Sequence, residues 1–414
     1  MRFYVHYFGC RSNQAEVQEW LIALESLGYQ VTRNVQEADF AILNTCCVTE
    51  NAEREGLRFI DRVFKNTRVP WIITGCTVNR RPQDLAEKYK QFFFVINQDK
   101  KGLVELVCRE FPLDSNLLYN SSYKSRIFLK IQDGCSCRCS FCIVPKLRGK
   151  PASLSREQLR EKAAFYAGLG YREIVLTGIN LSAYGYDLFP RLNLLDALNE
   201  LEEMPGIEIV RLSSLDPRYL KYQFIKSLAV YAKLAETFHF SFQSGSDAVL
   251  RRMNRAGRSA EHRKYLQQFR RLFPQANLGA DIIVGFPGET DREFQETIDF
   301  VSSSGLNYLH VFPFSARPGT RAAAMPLVNP KTVKYRRELL AGLAKRLREE
   351  YRALFLQREL AGIVIEEDQG HGLVVTRNNL CVRIQSRPGW RKKGVTVLIK
   401  SIVSDNLMEG VCVS

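Results

Sequence analysis

At 414 residues the chain has room for two or three domains, each with its own core, and its 45% hydrophobic content is ordinary for a chain that folds in water. No stretch approaches the roughly eighteen apolar residues of a membrane span, and residues 1–6 lead directly into polar sequence without a signal-peptide core, so a cytoplasmic protein is expected. A net charge of +15 exceeds what solubility asks for and points to a polyanionic partner such as nucleic acid; eleven cysteines in a reducing compartment point to ligands or reduced thiols rather than disulfides.

Residues 1–111 alternate strand and helix, with strands over 3–8, 40–44, 71–74 and 92–96 and helices over 13–27, 51–65, 83–90 and 100–108. Strands spaced by such helices predict a parallel sheet with crossover connections, and ligands on these sheets bind at the carboxyl ends of strands. Cys10 follows the first strand, Cys46 the second and Cys76 the third, so all three fall on one edge of one sheet. A lone cysteine after a strand is usually a small buried residue, but three at equivalent positions suit an iron-sulfur cluster with three protein ligands and one open iron. Helix N-termini just beyond them favour thiolates. Cys47, Cys108, Cys381 and Cys412 read as ordinary thiols.

Residues 112–125 lack periodicity and read as a linker. A strand over 126–131 then delivers Asp133-Gly134-Cys135-Ser136-Cys137-Arg138-Cys139-Ser140-Phe141-Cys142, the most cysteine-rich stretch of the chain. Cys135, Cys139 and Cys142 stand in C-x3-C-x2-C spacing, with Cys137 an extra thiol in the first gap. Three thiolates on one short loop hold three irons of a cubane and leave the fourth open to a substrate. Structural zinc is the competing reading, but its ligand pairs usually come from two separated loops, which staples distant chain together.

From 126 to 360 βα units repeat, with further strands near 173–177, 208–213, 238–243, 277–284 and 308–314 and helices over 156–169, 192–204, 217–236, 260–272 and 292–304. Six strands in this rhythm predict an α/β architecture of partial TIM-like (βα)6 form, whose chemistry sits at strand carboxyl ends. Polar or glycine-rich segments recur there. Gly178 and Gly285 would let backbone approach a bound polar cofactor, while Asn180, Gln243 and Ser244 would hydrogen-bond it; Ser214 and Asp216 read equally well as turn and cap residues.

A basic helix over 331–360 follows, carrying Lys334, Arg336, Arg337, Lys345, Arg346, Arg348 and Arg352 with Glu338, Glu349 and Glu350 between them. Residues 361–414 turn β-like, with short strands over 363–365, 372–376, 380–384 and 396–402 that suit a small barrel. Arg377, Arg383, Arg387, Trp390, Arg391, Lys392, Lys393 and Lys400 supply the charge and the aromatic ring that RNA binding would use.

Taken together, Cys10, Cys46 and Cys76 with Cys135, Cys139 and Cys142 resemble the radical S-adenosylmethionine methylthiotransferase family over nearly the whole chain. Asn44-Thr45-Cys46, Gly75-Cys76, Arg148-Gly149, Gln243-Ser244-Gly245-Ser246-Asp247 and Arg317-Pro318-Gly319-Thr320 add to the resemblance; the doubled Cys46-Cys47 and the extra Cys137 depart from it. The resemblance implies two 4Fe-4S clusters, S-adenosyl-L-methionine bound near Phe141, and a C-terminal TRAM domain of OB-like shape. It also implies a tRNA anticodon stem-loop as substrate, a flavodoxin- or ferredoxin-like electron donor and a sulfide source. In that family a 5′-deoxyadenosyl radical activates C2 of an adenine, and the second cluster presents a methylated sulfide. Arg211-Leu212-Ser213-Ser214-Leu215-Asp216-Pro217 and the segment 310–320 look most like the threonylcarbamoyladenosine branch. The nearer alternative is the isopentenyladenosine branch; the remote one is a non-catalytic iron-sulfur RNA-binding protein, which would want closed four-ligand clusters.

Overall fold

Strands apolar on both faces set the first half of the molecule. The structure, a computed structural model, describes residues 1–113, 125–368, 370–386 and 388–413. Residues 1–113, 133–151 and 315–323 form one unit, and 125–132, 152–314 and the described chain from 324 onward form another. In the first unit the order is β1 Arg2–Tyr7, α1 Arg11–Ser26, β2 Gln30–Val31, β3 Phe40–Thr45, α2 Glu50–Asn66, β4 Trp71–Gly75, α3 Cys76–Arg80, α4 Pro82–Lys88, β5 Phe93–Val95 and α5 Leu103–Glu110. The strands pair in parallel in the order β2-β1-β3-β4-β5, and β3 and β4 are buried throughout. Strand alternation explains this: Phe40, Ile42 and Ile72 pack with Trp20, Leu24, Leu103 and Val107 on one face, while Ala41, Leu43, Trp71 and Ile73 pack with Ile60, Val63 and Leu85 on the other. Phe111 and Leu113 also pack on this core; of the linker expected over 112–125, residues 114–124 lie outside the described residues.

β6 Arg126–Asp133 leads into the cysteine loop, which ends in the one-turn helix α6 Val144–Arg148. In the second unit follow β7 Ala152–Ser153, α7 Arg156–Gly168, β8 Glu173–Gly178, α8 Leu194–Glu202, β9 Ile209–Leu212, β10 Ser214–Leu215, α9 Tyr222–Leu228, β11 Thr237–Gln243, α10 Asp247–Arg252, α11 Ser259–Leu272, β12 Asn277–Val284, α12 Asp291–Ser303, β13 Tyr308–Pro313 and α13 Pro330–Ala353. The strands form two four-stranded sheets, β7-β6-β8-β9 and β10-β11-β12-β13. β9 and β10 are two halves of one strand broken at Ser213, so six βα steps are present, as the periodicity predicts. Ser155 with Gln158 and Thr290 with Glu293 close capping boxes that start α7 and α12.

The helix expected over 217–236 is mostly absent. Only Tyr222–Leu228 is α-helical, because the Glu202 carboxylate accepts from the backbone N–H groups of Ala232 (2.8 Å) and Lys233 (3.1 Å), and Leu234 bridges to Val210. The basic helix likewise stops at Ala353, short of 360. Tyr351 and Phe355 keep helical spacing because both enter the core of the following barrel, and the chain then turns at Gln357 with φ 60°. That barrel is closed by β14 Glu359–Asp368, β15 His371–Thr376, β16 Cys381–Gln385, β17 Gly394–Ser404 and β18 Leu407–Cys412 in the order β14-β15-β16-β18-β17, a TRAM-like module with one more strand than periodicity finds. No helix among the described residues is long and apolar enough to cross a membrane.

Candidate metal centres

Cys10 caps the start of α1, Cys46 follows β3 directly and Cys76 opens α3 after β4. Because β1, β3 and β4 are adjacent and parallel, the three thiols come from neighbouring strand ends of one sheet. Gly9 makes room for this: at φ 93° it adopts a left-handed backbone, and a Cβ there would overlap the Cβ and Sγ of Cys46. Cys10 is exposed, whereas Cys46 and Cys76 are each only 3% exposed, so the site opens on the Cys10 side. Burial, followed by repulsion from Cys10, pushes the Cys46 thiol up to about 12. Such a thiol ionises when a cation takes its proton's place, and three soft donors at one sheet edge suit three irons of a cubane. Cys47 is fully buried, packed with Cys76, Ile143 and Leu147, and burial also raises its thiol.

The second triad lies in the same unit. Gly134, at φ 66°, could not carry a side chain, because a Cβ would overlap the carbonyl of Lys150; the Cys135 N–H donates to the Gly149 carbonyl at 3.1 Å. These contacts close residues 134–149 into one loop. Within it the Cys137 N–H points at the Cys135 sulfur (3.4 Å) and the Cys142 N–H donates to the Cys139 carbonyl (3.2 Å). Cys135, Cys137, Cys139, Phe141 and Cys142 are all partly exposed. Residues 315–323 lace onto the loop: Ala322 N–H donates to Ser140 O at 2.8 Å, Lys146 Nζ to Gly319 O at 2.6 Å, and the buried Arg317 pairs with Glu53, which also pairs with Arg80.

Periodicity gives no warning of a buried polar network behind both triads. The Arg148 guanidinium donates to Glu16 Oε1 (2.8 Å), Asn13 Oδ1 (2.8 Å) and both oxygens of Asp133 (3.1 Å each). Glu16 Oε2 in turn accepts from Lys100 Nζ (2.6 Å) and Asn44 Nδ2 (2.9 Å). Burial works against a charged Arg148, but the Glu16 carboxylate outweighs it and holds the guanidinium well above its usual value; burial pulls Lys100 down.

In the second unit, the residues expected to hold a cofactor have protein neighbours of their own. The Asn180 N–H donates to Gln132 Oε1 at 2.7 Å, and the same Gln132 lies where a Cβ on Gly178 would go. Ser244 is fully buried, its hydroxyl 3.2 Å from Thr297 Oγ1, Gln243 has φ 74°, and the space beside Gly285 is filled by Val333 of α13. Sequence reasoning also passed over His239, Asp281 and His310, side by side on β11, β12 and β13. Asp281 Oδ1 lies 2.9 Å from His239 Nε2 and 3.3 Å from His310 Nδ1, and those two bonds outweigh burial to hold its carboxyl far below the usual range. The signal was present: Phe238, Phe240 and Phe242 pack with Phe269, Phe273 or Phe300, so the alternate residues His239, Ser241 and Gln243 face the other way.

Several basic residues expected to meet RNA are instead spent inside the second unit. The Arg377 guanidinium donates to the carbonyls of Ala232 and Leu234, and Lys392 Nζ donates to Leu169 O at 3.0 Å over the Tyr171 ring at 4.3 Å, so both dock the C-terminal barrel. On α13, Arg336 is buried against Glu289 and Asp291, and Arg352 donates to Ser404 O at 2.9 Å. Lys393 and Lys400 are exposed, Trp390 packs partly against the barrel core, and Arg387 lies outside the described residues.

Two family models match the chain, the radical SAM superfamily over residues 129–301 and the uncharacterized protein family UPF0004 over residues 2–97. The chain is 34% identical over 346 residues to the threonylcarbamoyladenosine tRNA methylthiotransferase MtaB of Chlamydia pneumoniae, covering 82% of this chain and 81% of that one. It is 31% identical to the tRNA-2-methylthio-N(6)-dimethylallyladenosine synthase of Pelotomaculum thermopropionicum, over 90% of this chain and 88% of that one. The radical S-adenosylmethionine methyltransferase TsrM of Kitasatospora setae, 12% identical with a TM-score of 0.56 over 78% of this chain and 74% of that one, shares its fold. With such identity over four-fifths or more of both chains, and with one model spanning Cys10, Cys46 and Cys76 and the other Cys135, Cys139 and Cys142, the protein belongs to the radical S-adenosylmethionine tRNA methylthiotransferases.

Proposed function

We propose that the protein inserts a methylthio group at C2 of N6-threonylcarbamoyladenosine, 3′ to the anticodon of tRNA, using two 4Fe-4S clusters and S-adenosyl-L-methionine. The observation that carries the reading is the pair of three-thiol sets, Cys10/Cys46/Cys76 and Cys135/Cys139/Cys142, in one unit, each one ligand short of a closed site. The segment 211–217 and the similarity to the Chlamydia pneumoniae enzyme support the threonylcarbamoyl substrate. The similarity to the dimethylallyladenosine synthase favours the second reading, a dimethylallyl- or isopentenyladenosine substrate.

When bound, the clusters and S-adenosylmethionine would supply the electron, the carbon radical and the sulfur. The chain's own residues hold and shape. Cys135, Cys139 and Cys142 would ligate one cluster, with the Cys137 N–H donating to the Cys135 sulfur and Phe141 beside the cofactor. Cys10, Cys46 and Cys76 would ligate the other, Gly9 keeping the approach to Cys46 clear. Gly178, Asn180, Gln243, Ser244 and Gly285 remain the candidates for the S-adenosylmethionine site, the first two acting with Gln132. Exposed lysines such as Lys393 and Lys400 would take tRNA phosphates, and a flavodoxin- or ferredoxin-like donor and a sulfide source complete the partners.

Nucleoside mass spectrometry of tRNA from a strain lacking this chain tests the substrate. Loss of 2-methylthio-N6-threonylcarbamoyladenosine, restored by the wild-type chain but not by a Cys46→Ala variant, is expected. Loss of the 2-methylthio dimethylallyl or isopentenyl nucleoside alone would establish the second reading.

A further inference from the structure

We infer that Arg148 is a positioning residue for both cysteine triads: it pins the end of the Cys135/Cys139/Cys142 loop to the segments that carry Cys10, Cys46 and Cys76, and places a buried cation beside the latter. The inference rests on the two-cluster reading above.

Arg148 closes the loop six residues after Cys142, and its side chain is 2% exposed. A guanidinium taken that far out of water must be fully paired, and its planar fork presents five N–H donors in fixed directions, against three rotatable ones on an ammonium. Its acceptors lead to the segments of Cys135, Cys10 and Cys46, and the carbonyl of the residue before it leads to that of Cys76. Asp133, which also accepts from the Gly134 N–H at 2.8 Å, stands two residues before Cys135. Asn13, while accepting from Arg148, donates through Nδ2 to Phe8 O (2.8 Å) and Thr45 O (3.0 Å), the backbone just before Cys10 and Cys46. The neighbouring carbonyl of Leu147 accepts from Asn79 in α3, the helix that opens at Cys76, at 2.9 Å, and from Asn97 at 3.0 Å.

The charges are arranged to match. Arg148 and Lys100 face Glu16 and Asp133, so the network taken by itself is close to neutral. Three thiolates and an anionic cluster would add negative charge, and the Asn13 Oδ1 that accepts from Arg148 at 2.8 Å also lies 4.0 Å from Cys10 Sγ, so one side-chain oxygen separates the guanidinium from the triad. A cation near a cluster favours its reduced, more negative form, so removing it lowers the potential. Arg148→Lys keeps the charge but loses the fork, which separates the two roles.

The test uses full-length, anaerobically reconstituted chains. In a background of Cys135→Ala, Cys139→Ala and Cys142→Ala, Arg148→Gln is expected to shift the reduction equilibrium of the remaining cluster about tenfold toward the oxidised form, roughly 59 mV more negative, and Arg148→Lys to restore it. In the chain with all its cysteines, hydrogen exchange over residues 133–148 is expected to quicken in both variants. An unchanged potential in Arg148→Gln overturns the electrostatic role, and unchanged exchange overturns the positioning role. If the triple-alanine background binds no iron, the two-cluster reading has failed, and the exchange result alone decides whether Arg148 holds the loop. If Arg148→Gln does not fold, exchange in Arg148→Lys decides in the same way.

Discussion

His262 gives the pH sensitivity of the second unit a definite sign and size. Its ring is 1% exposed, stacked on Phe242 at 4.5 Å and set edge-on to Phe300 at 6.3 Å, and neither ring nitrogen has a hydrogen-bond partner among the described residues. Burial, helped by the nearby Arg255 and opposed by Asp247 and Asp216, lowers it from 6.5 to about 4. The native ring therefore stays neutral where the unfolded chain takes up a proton. Stability is fully present above pH 6.5 and is lost as pH falls toward 4, by about 3 kcal/mol in all and by roughly 2 kcal/mol between pH 7 and 5. Urea unfolding of the wild type and of His262→Phe, at equal cluster loading, isolates this loss from that of the carboxylates. The wild type should lose roughly 2 kcal/mol more than the variant between pH 7 and 5. Equal slopes would mean that His262 titrates normally in the native state and that the slot between Phe242 and Phe300 admits water or a partner.

Anaerobic reconstitution should load about eight irons per chain, and removing the thiols of Cys135, Cys139 and Cys142 should leave about four; a wild type with only four, or with zinc, contradicts two clusters. Cys46→Ala should abolish methylthiolation while 5′-deoxyadenosine is still formed, and Cys47→Ala should be milder; the reverse order would show that Cys47 is the ligand. Charge reversal at Lys393 and Lys400 should weaken tRNA binding and flatten its salt dependence by up to about one log-log unit per lost contact. Arg377→Glu should act chiefly by loosening the C-terminal barrel from Ala232 and Leu234, seen as a lower melting temperature; an unchanged melting temperature with weaker tRNA binding would return Arg377 to the RNA surface.

Local pattern was enough to read the parallel sheet, the six βα steps and the position of each cysteine after its strand. Those features depend on side-chain periodicity and on spacings within one loop or one strand, which the order of residues contains directly. Helix ends were read less well, and for a shared reason: over 229–235 and 354–358 the backbone follows distant partners, the Glu202 carboxylate and the barrel core, rather than its own propensity. The polar network was not legible at all. Arg148 stands in the Arg148-Gly149 pair that the family resemblance picks out, but nothing local to Glu16, Lys100 or Arg148 shows that they meet or that they are buried. Only folding brings them together, since β1 and β3 place Asn13 and Asn44 beside each other and the loop from β6 returns Arg148 to them. The same holds for Arg377 and Lys392, whose charge suggested RNA until packing showed their hydrogen bonds ending on carbonyls of the neighbouring barrel. A charge buried without a partner is too costly to persist, so which charges remain for a substrate is decided by long-range packing and not by composition.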